Sequence, residues 1–183
     1  MNSKKRLTVL AVDLDHTLID TDMIYYGLKQ LLVKKLYLLP TLFFIFLIKG
    51  KTYAKKYLYK NSTFEINNIP FNNHLIEYII EQKKNYDHVI LISGSYYKYV
   101  KHIAEHLRLF DSFAGSNIKL NMISSNKVKF LLEKFDNPIF DYIGDNRKDI
   151  PIWELSRNVL VVDHGKITKY ISHLNYKIVS KRS

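Results

Sequence analysis

Asp13 and Asp15 follow directly on an apolar run, Leu7 to Val12, with the brevity and β-branched content of a strand buried on both faces. Residues two apart in a strand project to the same side, so both carboxylates would leave the carboxyl end of a sheet together. Ligands bind there in open parallel α/β folds. Asp20 and Asp22 bring to four the acidic residues within ten positions, out of 17 in a strongly basic chain. Carboxylates so crowded repel one another unless a cation neutralises them, and an all-oxygen donor set suits Mg²⁺. A strand ending in a polar turn would carry the same residues without chemistry, so the pattern needs partners.

Partners stand at three further points. Ser93 closes the run HVILIS with Gly94-Ser95 just beyond it, and a hydroxyl with backbone N–H groups at a helix start makes a cradle for phosphate. Ile139 to Ile143 (IFDYI) leads into Gly144-Asp145-Asn146-Arg147-Lys148-Asp149. Gly144 would permit a sharp exit, and Asp145 would face Asp13 and Asp15 across the sheet edge. Lys127 falls at the expected start of a helix, where the helix dipole disfavours a cation. An anion in front of Lys127 would explain it, and so would a solvated surface position.

The elements that must position these groups alternate in type. Thr21 or Asp22 can cap a helix whose apolar positions Ile24, Leu28, Leu31, Leu32, Leu36 and Leu39 keep helical spacing until Pro40 kinks or ends it. Leu42 to Ile48 is apolar all round and is followed by KGKTYAKKYLYK. Ile66 to Phe71 reads as an irregular connection. Leu75, Ile76, Ile79 and Ile80 stripe a further helix, which gives way near Asn85 to Asp87 to the strand His88 to Ser93. Val100, Ile103, Ala104 and Leu107 mark another helix. Ser124 to Asn126 can cap one striped by Val128, Leu131, Leu132 and Phe135. Ile139 to Ile143 and, last, Asn158 to Val162 complete the strands. Strands separated by helix-sized intervals predict an α/β fold, a Rossmann-like doubly wound parallel sheet.

Composition sets outer bounds. The 183 residues fit one domain with room for a smaller insertion, and 47% apolar with 25% charged residues describes a globular chain. The absence of cysteine excludes disulfides, thiolate metal sites and a cysteine nucleophile. The basic residues 1–6 precede an apolar run that stops at Asp13, too short for a cleavable signal peptide. A cytoplasmic location, or a peripheral one at a membrane surface, is expected; secretion without a cleavable signal peptide is compatible with the same residues. The net charge of +11 favours anionic partners, although a general bias towards Lys, Asn, Ile and Tyr would supply lysines without a patch. No aromatic-basic signature, zinc spacing or DNA-binding helix pair accompanies the charge, which ranks nucleic acid low.

Taken in order, DLDHT (Asp13 to Thr17), LISGS (Leu91 to Ser95), Lys127 and GDNRKD (Gly144 to Asp149) resemble the four motifs of the haloacid dehalogenase (HAD) superfamily of aspartate-based phosphohydrolases. The pattern DLDHTLIDTD with a later FDYIGD is similar to the phosphoserine-phosphatase-like branch, and to HAD domains joined to membrane prenyltransferases. The resemblance implies that Asp13 is the nucleophile and forms an aspartyl phosphate, with Asp15 as general acid and then base. It implies Mg²⁺ held by Asp13, the Asp15 backbone carbonyl and Asp145, with Asp149 in support, and phosphoryl oxygens bound by Thr17, Ser93, Gly94 and Lys127. His16 replaces a commoner glycine, with orientation of the loop as its expected role. Ile123 stands where relatives of the prenyltransferase-linked type show an earlier lysine; Lys119 and Lys129 are the fallbacks for Lys127. Asp15 speaks against dehalogenation, which has no leaving alkoxide to protonate.

The resemblance also implies a helical cap inserted after the first strand, residues 21–69, on a catalytic core of residues 1–20 and 70–183. Caps of this kind select substrate and exclude water. The insertion carries Tyr25, Tyr26, Phe43, Phe44, Phe46, Tyr53, Tyr57 and Tyr59. They would form its own core, or meet an apolar or aromatic substrate group such as a lipid phosphate or a phosphotyrosine of a protein, in place of a phosphorylated small molecule. A non-catalytic adaptor that binds membrane or protein through its basic surface is the competing class, and the intact Asp13, Asp15 and Asp145 argue against it. Leu36 to Ile48 would extend only about 20 Å as a helix, short of the roughly 30 Å bilayer core, so it does not span. Lysines on both sides of it suit an anionic membrane surface; packing inside the cap, or in a dimer, is the alternative.

Overall fold

The structure, a computed structural model, describes residues 6–163, Gly165 and residues 167–181; the basic residues 1–5 lie outside that description. Six strands form one sheet: β1 (Thr8–Val12), β2 (His88–Tyr96), β3 (Ser112–Ser116), β4 (Ile139–Gly144), β5 (Val159–Asp163) and β6 (Tyr176–Lys181). All are parallel, in the order β3-β2-β1-β4-β5-β6. This is the expected doubly wound sheet, with β1 at its centre. The strand order reverses beside β1, which puts the crevice for a ligand at the carboxyl ends of β1 and β4.

Alternation along the central strands supplies two cores. Leu10 and Val12 face one side and meet α4 (Asn73–Gln82) and α5 (Tyr97–Leu107) through Leu75, Ile79, Val100 and Ile103. Val9 and Ala11 face the other and meet α6 (Ser125–Lys134) and α7 (Ile150–Trp153) through Val128, Leu131, Ile152 and Trp153. Burying each large side chain stabilises the fold by roughly 1.5–3 kcal/mol, so the centre of the sheet is its most rigid part. The site is built on that part.

Between β1 and β2 lie α1 (Met23–Lys34), α2 (Leu39–Lys49) and α3 (Lys51–Asn61), with a small core of Leu31, Leu42, Ala54 and Leu58. The Asp22 side chain accepts from the N–H groups of Ile24 and Tyr25 and caps α1. That helix stops at Lys34, before the expected Leu36 and Leu39. The proline neither kinks nor ends it: Pro40 lies in the first turn of α2, where its missing N–H costs nothing. Gly50, at φ 81° and ψ −177°, makes the sharp connection to α3.

Three further expectations change. β2 does not give way to a helix after Ser93 but continues to Tyr96, pairing with β3 across a bulge between Ser93 and Tyr96. β3 and β6 are additional strands, so Asn158 to Val162 is not the last. Gly144 has no positive φ, and so is not needed for a sharp turn. A β-carbon there would stand 2.7 Å from Asp149 Oδ2 and from Tyr142 Cε1, so its function is to leave room for the Asp149 carboxylate.

Candidate active site

The backbone of β1 carries its pairing with β4 one residue further, through Asp13 N–H to Ile143 O at 2.9 Å. The chain then turns tightly, Leu14 O accepting from Thr17, Leu18 and Ile19 while Leu14, Leu18 and Ile19 are wholly buried. His16, exposed at the rim, holds φ 56°, the left-handed region in which glycine is at ease. Below the turn, Asn72 Nδ2 donates to Thr17 O at 3.1 Å while its Oδ1 accepts from Leu75 N at 3.2 Å, tying the turn to α4. The two carboxylates therefore leave a fixed backbone.

Asp13, Asp145 and Asp149 each bring a carboxylate oxygen within 4.8 Å of the others. Lys127, buried at the start of α6, donates to Asp13 Oδ1 at 2.7 Å, to Tyr142 Oη at 2.6 Å and to Asp149 Oδ1 at 3.2 Å. Tyr142 Oη in turn donates to Asp149 Oδ1 at 2.8 Å. Burial disfavours the charge on Lys127, but Asp13 and Asp149 outweigh it and hold the ammonium above its ordinary range. Burial pushes the Asp13 carboxyl up; Lys127 pulls against that, and Asp149, Asp15 and Asp145 add to it. One lysine thus leaves the carboxylate cluster short of positive charge.

Asp15 is held differently. Its Oδ1 accepts from Met23 N at 2.9 Å, and its Oδ2 from Ser93 Oγ at 2.8 Å and Ser95 Oγ at 2.7 Å. Burial, with Asp22 nearby, raises its pKa despite these donors. A carboxyl so placed is suited to hold a proton and give it up.

A cleft of about 120 Å³ opens over these groups, lined by Asp13, Asp15, His16, Lys55, Lys127 and Asp145 among others. Lys55 reaches it from α3, donating to Gly94 O at 2.6 Å and Asn121 Oδ1 at 2.6 Å. Burial lowers its pKa to about 8 against the pull of Asp15 and Asp22. Ile123 also lines the cleft, and a β-carbon on Gly94 would stand 2.7 Å from Ile123 Cγ2. At that position the chain offers packing, and Lys127 supplies the charge. Beside it, Ser124 takes φ 50° and ψ −127°, unusual for a side-chain-bearing residue, and lines the cleft as α6 begins.

The expected site residues thus converge on one place, with two qualifications. Thr17 Oγ1 donates to Asp145 Oδ1 at 3.2 Å, and Ser93 Oγ is directed at Asp15 while accepting from Ser95 N at 2.9 Å, so both hydroxyls hold carboxylates in this structure. Lys119 is exposed and Lys129 pairs with Glu133 on the surface, away from the cleft. Ser95, Tyr142 and Lys55 escaped the sequence reading. Ser95 stood within the quoted LISGS and Tyr142 within FDYIGD, but their hydroxyls gave no signal without the strand register.

No protein-family model matches the chain. The uncharacterized protein y4nM of Sinorhizobium fredii is 29% identical over 160 residues, 85% of this chain and 30% of its own length. The chain therefore spans under a third of the curated relative it matches. Among solved structures, a protein of unknown function from Bordetella pertussis superposes with TM-score 0.72 at 10% identity, over 98% and 99% of the two chains. A HAD-superfamily hydrolase from Ehrlichia chaffeensis gives TM-score 0.53 at 23% identity over 94% of this chain and 99% of that one. A phosphoserine phosphatase solved as a phospho-aspartyl intermediate analogue gives 0.56 at 16% identity over 91% and 99%. The fold is that of the HAD-superfamily hydrolases, phosphoserine phosphatases included, as the sequence resemblance implied.

Proposed function

We propose that the chain is a Mg²⁺-dependent phosphomonoester hydrolase that works through an aspartyl phosphate on Asp13. The observation that carries this reading is the gathering of Asp13, Asp145 and Asp149 oxygens within 4.8 Å, with Lys127 bonded to Asp13 and Asp15 in the same cleft. The donors are all oxygen and undercompensated in charge, which fits a hard divalent cation. Asp13, Asp145 and the Asp15 carbonyl would hold Mg²⁺, with Asp149 in support. Bound there, the ion offsets negative charge on the phosphoryl group.

The residues of the chain divide the remaining work. Asp13 attacks phosphorus and the bond to the leaving oxygen breaks; Asp15 gives its proton to that oxygen. Asp15 then takes a proton from water, which attacks the acyl phosphate and releases inorganic phosphate. Lys127, fixed before substrate arrives, stabilises the negative charge on the transferring group without reorganisation. Ser93 and Ser95 set the orientation and proton affinity of Asp15, Thr17 steadies Asp145, and Gly94, which lines the cleft without a side chain, would offer its backbone to a phosphoryl oxygen. The helices α1–α3 act as a cap, with Lys55 as their contribution to the anion.

Substrate size follows from the cleft. At about 120 Å³ it is smaller than the ~300–1,000 Å³ of sites that engulf drug-sized ligands. None of the aromatics of the inserted helices lines it. Tyr59 stacks on His102 and meets Tyr96 at a tilt and Tyr99 edge-on, and Tyr26 meets Phe64 edge-on. A compact, polar phosphorylated small molecule fits better than an acyl chain or a phosphotyrosine ring. Hydrolysis of an aryl phosphate and a panel of small phosphomonoesters, with Mg²⁺ and with chelator, tests the reading. Metal-dependent turnover is expected, fastest on a small polar ester; phosphate binding without turnover on any ester would favour an adaptor instead.

A further inference from the structure

From Met23 to Phe64 the chain has eight lysines and no acidic residue, so this segment supplies most of the formal charge of +11. The same segment holds most of the large exposed apolar side chains among the described residues. Val33 is 75% exposed, Leu36 62%, Tyr37 74%, Phe43 59%, Leu47 59% and Ile48 77%. Of the run Leu42 to Ile48, only Leu42 is buried, so the run does not pack inside the helical unit. No single helix among the described residues is long and apolar enough to cross a membrane; α1 and the segment Leu36–Lys49 pass together by length and composition but are bent by 120°.

We infer that the exposed apolar surface of α1 and α2 docks on an anionic lipid membrane, with the apolar side chains at the headgroup boundary and the lysines on lipid phosphates. Two observations select this occupant over a second copy of the chain. At ~100° per residue the exposed apolar positions Phe43, Phe44, Phe46, Leu47 and Ile48 spread over roughly 200° of α2, wider than the stripe two packed helices share. A fluid boundary can surround such a surface. Second, Lys34, Lys49, Lys51 and Lys60 are exposed around it, and a second copy would oppose them with identical charges. Anionic headgroups neutralise them. The inference does not depend on the phosphatase reading.

Flotation with phosphatidylcholine vesicles, with and without phosphatidylglycerol, tests it, alongside sedimentation of the lipid-free chain. Two variants are compared after circular dichroism confirms their fold: Phe43→Ser/Phe46→Ser and Lys49→Glu/Lys51→Glu. The chain should prefer anionic vesicles by ~10-fold or more, lose that preference at high salt, and lose binding in both variants. Equal binding to neutral vesicles, no binding, or unchanged binding by the variants would overturn the proposal. So would a dimer that the Phe variant dissociates without any lipid binding, which would make a second copy the occupant.

Discussion

Lys127 Nζ stands 2.7 Å from Asp13 Oδ1, with both side chains almost entirely withdrawn from water. A buried ion pair of this kind is held for what it does at the site, since two desolvated charges gain little net stability from each other. Lys127→Ala leaves Asp13 and Asp149 without their cation. Turnover should fall by at least ~10²-fold, as when a principal stabiliser of transition-state charge is removed. Stability should fall as well, by about 3–5 kcal/mol, because Asp13 and Asp149 are left buried without a counter-charge. Lys119→Ala and Lys129→Ala should leave kcat/KM unchanged. Equal losses across all three lysines would show that Lys127 is not the residue at work.

Ser95 Oγ donates to Asp15 Oδ2 at 2.7 Å and favours the carboxylate over the acid. Ser95→Ala removes a charge-assisted hydrogen bond, so the Asp15 pKa, already raised by burial, should rise further. Because Asp15 must be protonated to serve the leaving oxygen, kcat/KM declines as pH climbs through that pKa. The alkaline limb of the profile should therefore move upward by about one pH unit in the variant. A limb that stays in place or moves down would remove Asp15 from the role of general acid.

Gly144→Ala puts a methyl group 2.7 Å from Asp149 Oδ2. Tyr142 Cε1 stands equally close, and that ring is wholly buried, so the Asp149 carboxylate must give way. The variant should fold, with stability reduced by about 1–3 kcal/mol. The Mg²⁺ concentration for half-maximal turnover should rise ~10-fold or more, as for other losses of a supporting carboxylate. An unchanged metal titration would separate Asp149 from the metal.

Lys55, with its pKa lowered to about 8 by burial, carries its charge below that pH and loses it above. Inhibition by inorganic phosphate should weaken as pH rises between about 7 and 9. Lys55→Arg, charged throughout, should remove the drop, and Lys55→Met should bind weakly at every pH. A wild-type profile that is flat over this range would mean that Lys55 does not meet the anion.

Much of the site was legible because its members are chemically costly where they stand. Asp13, Asp15 and Asp145 sit at or just past the ends of apolar runs, which reveals both the residue and its element; Asp149, behind Asn146-Arg147-Lys148, was legible only through the resemblance of GDNRKD. Lys127 was legible as a cation at a helix start. Ser95 and Tyr142 were not, since a hydroxyl in a strand is ordinary until its facing residue is known. The missed strands share a cause as well. β3 (SFAGS) and β6 (YKIVSK) are the two edges of the sheet and are less fully buried than its centre, so neither shows the continuous apolar run of β1 or β2. The helical break at Lys35 was hidden because Leu36 and Leu39 keep the spacing of α1, while Leu36 is exposed and Leu39 opens α2 and packs against the small core of Leu31, Leu42, Ala54 and Leu58.

The central claim is a covalent bond between phosphorus and Asp13. Rapid acid quenching during turnover of an aryl phosphate, followed by borohydride reduction and peptide mass spectrometry, reads that bond directly, since an acyl phosphate is reduced where a free carboxylate is not. The account predicts reduction at position 13 in the wild-type chain, accumulation in Asp15→Asn with a good leaving group, and none in Asp13→Asn. Wild-type turnover rates in Asp13→Asn with deamidation excluded, or an acyl phosphate trapped on any other carboxylate, would contradict it.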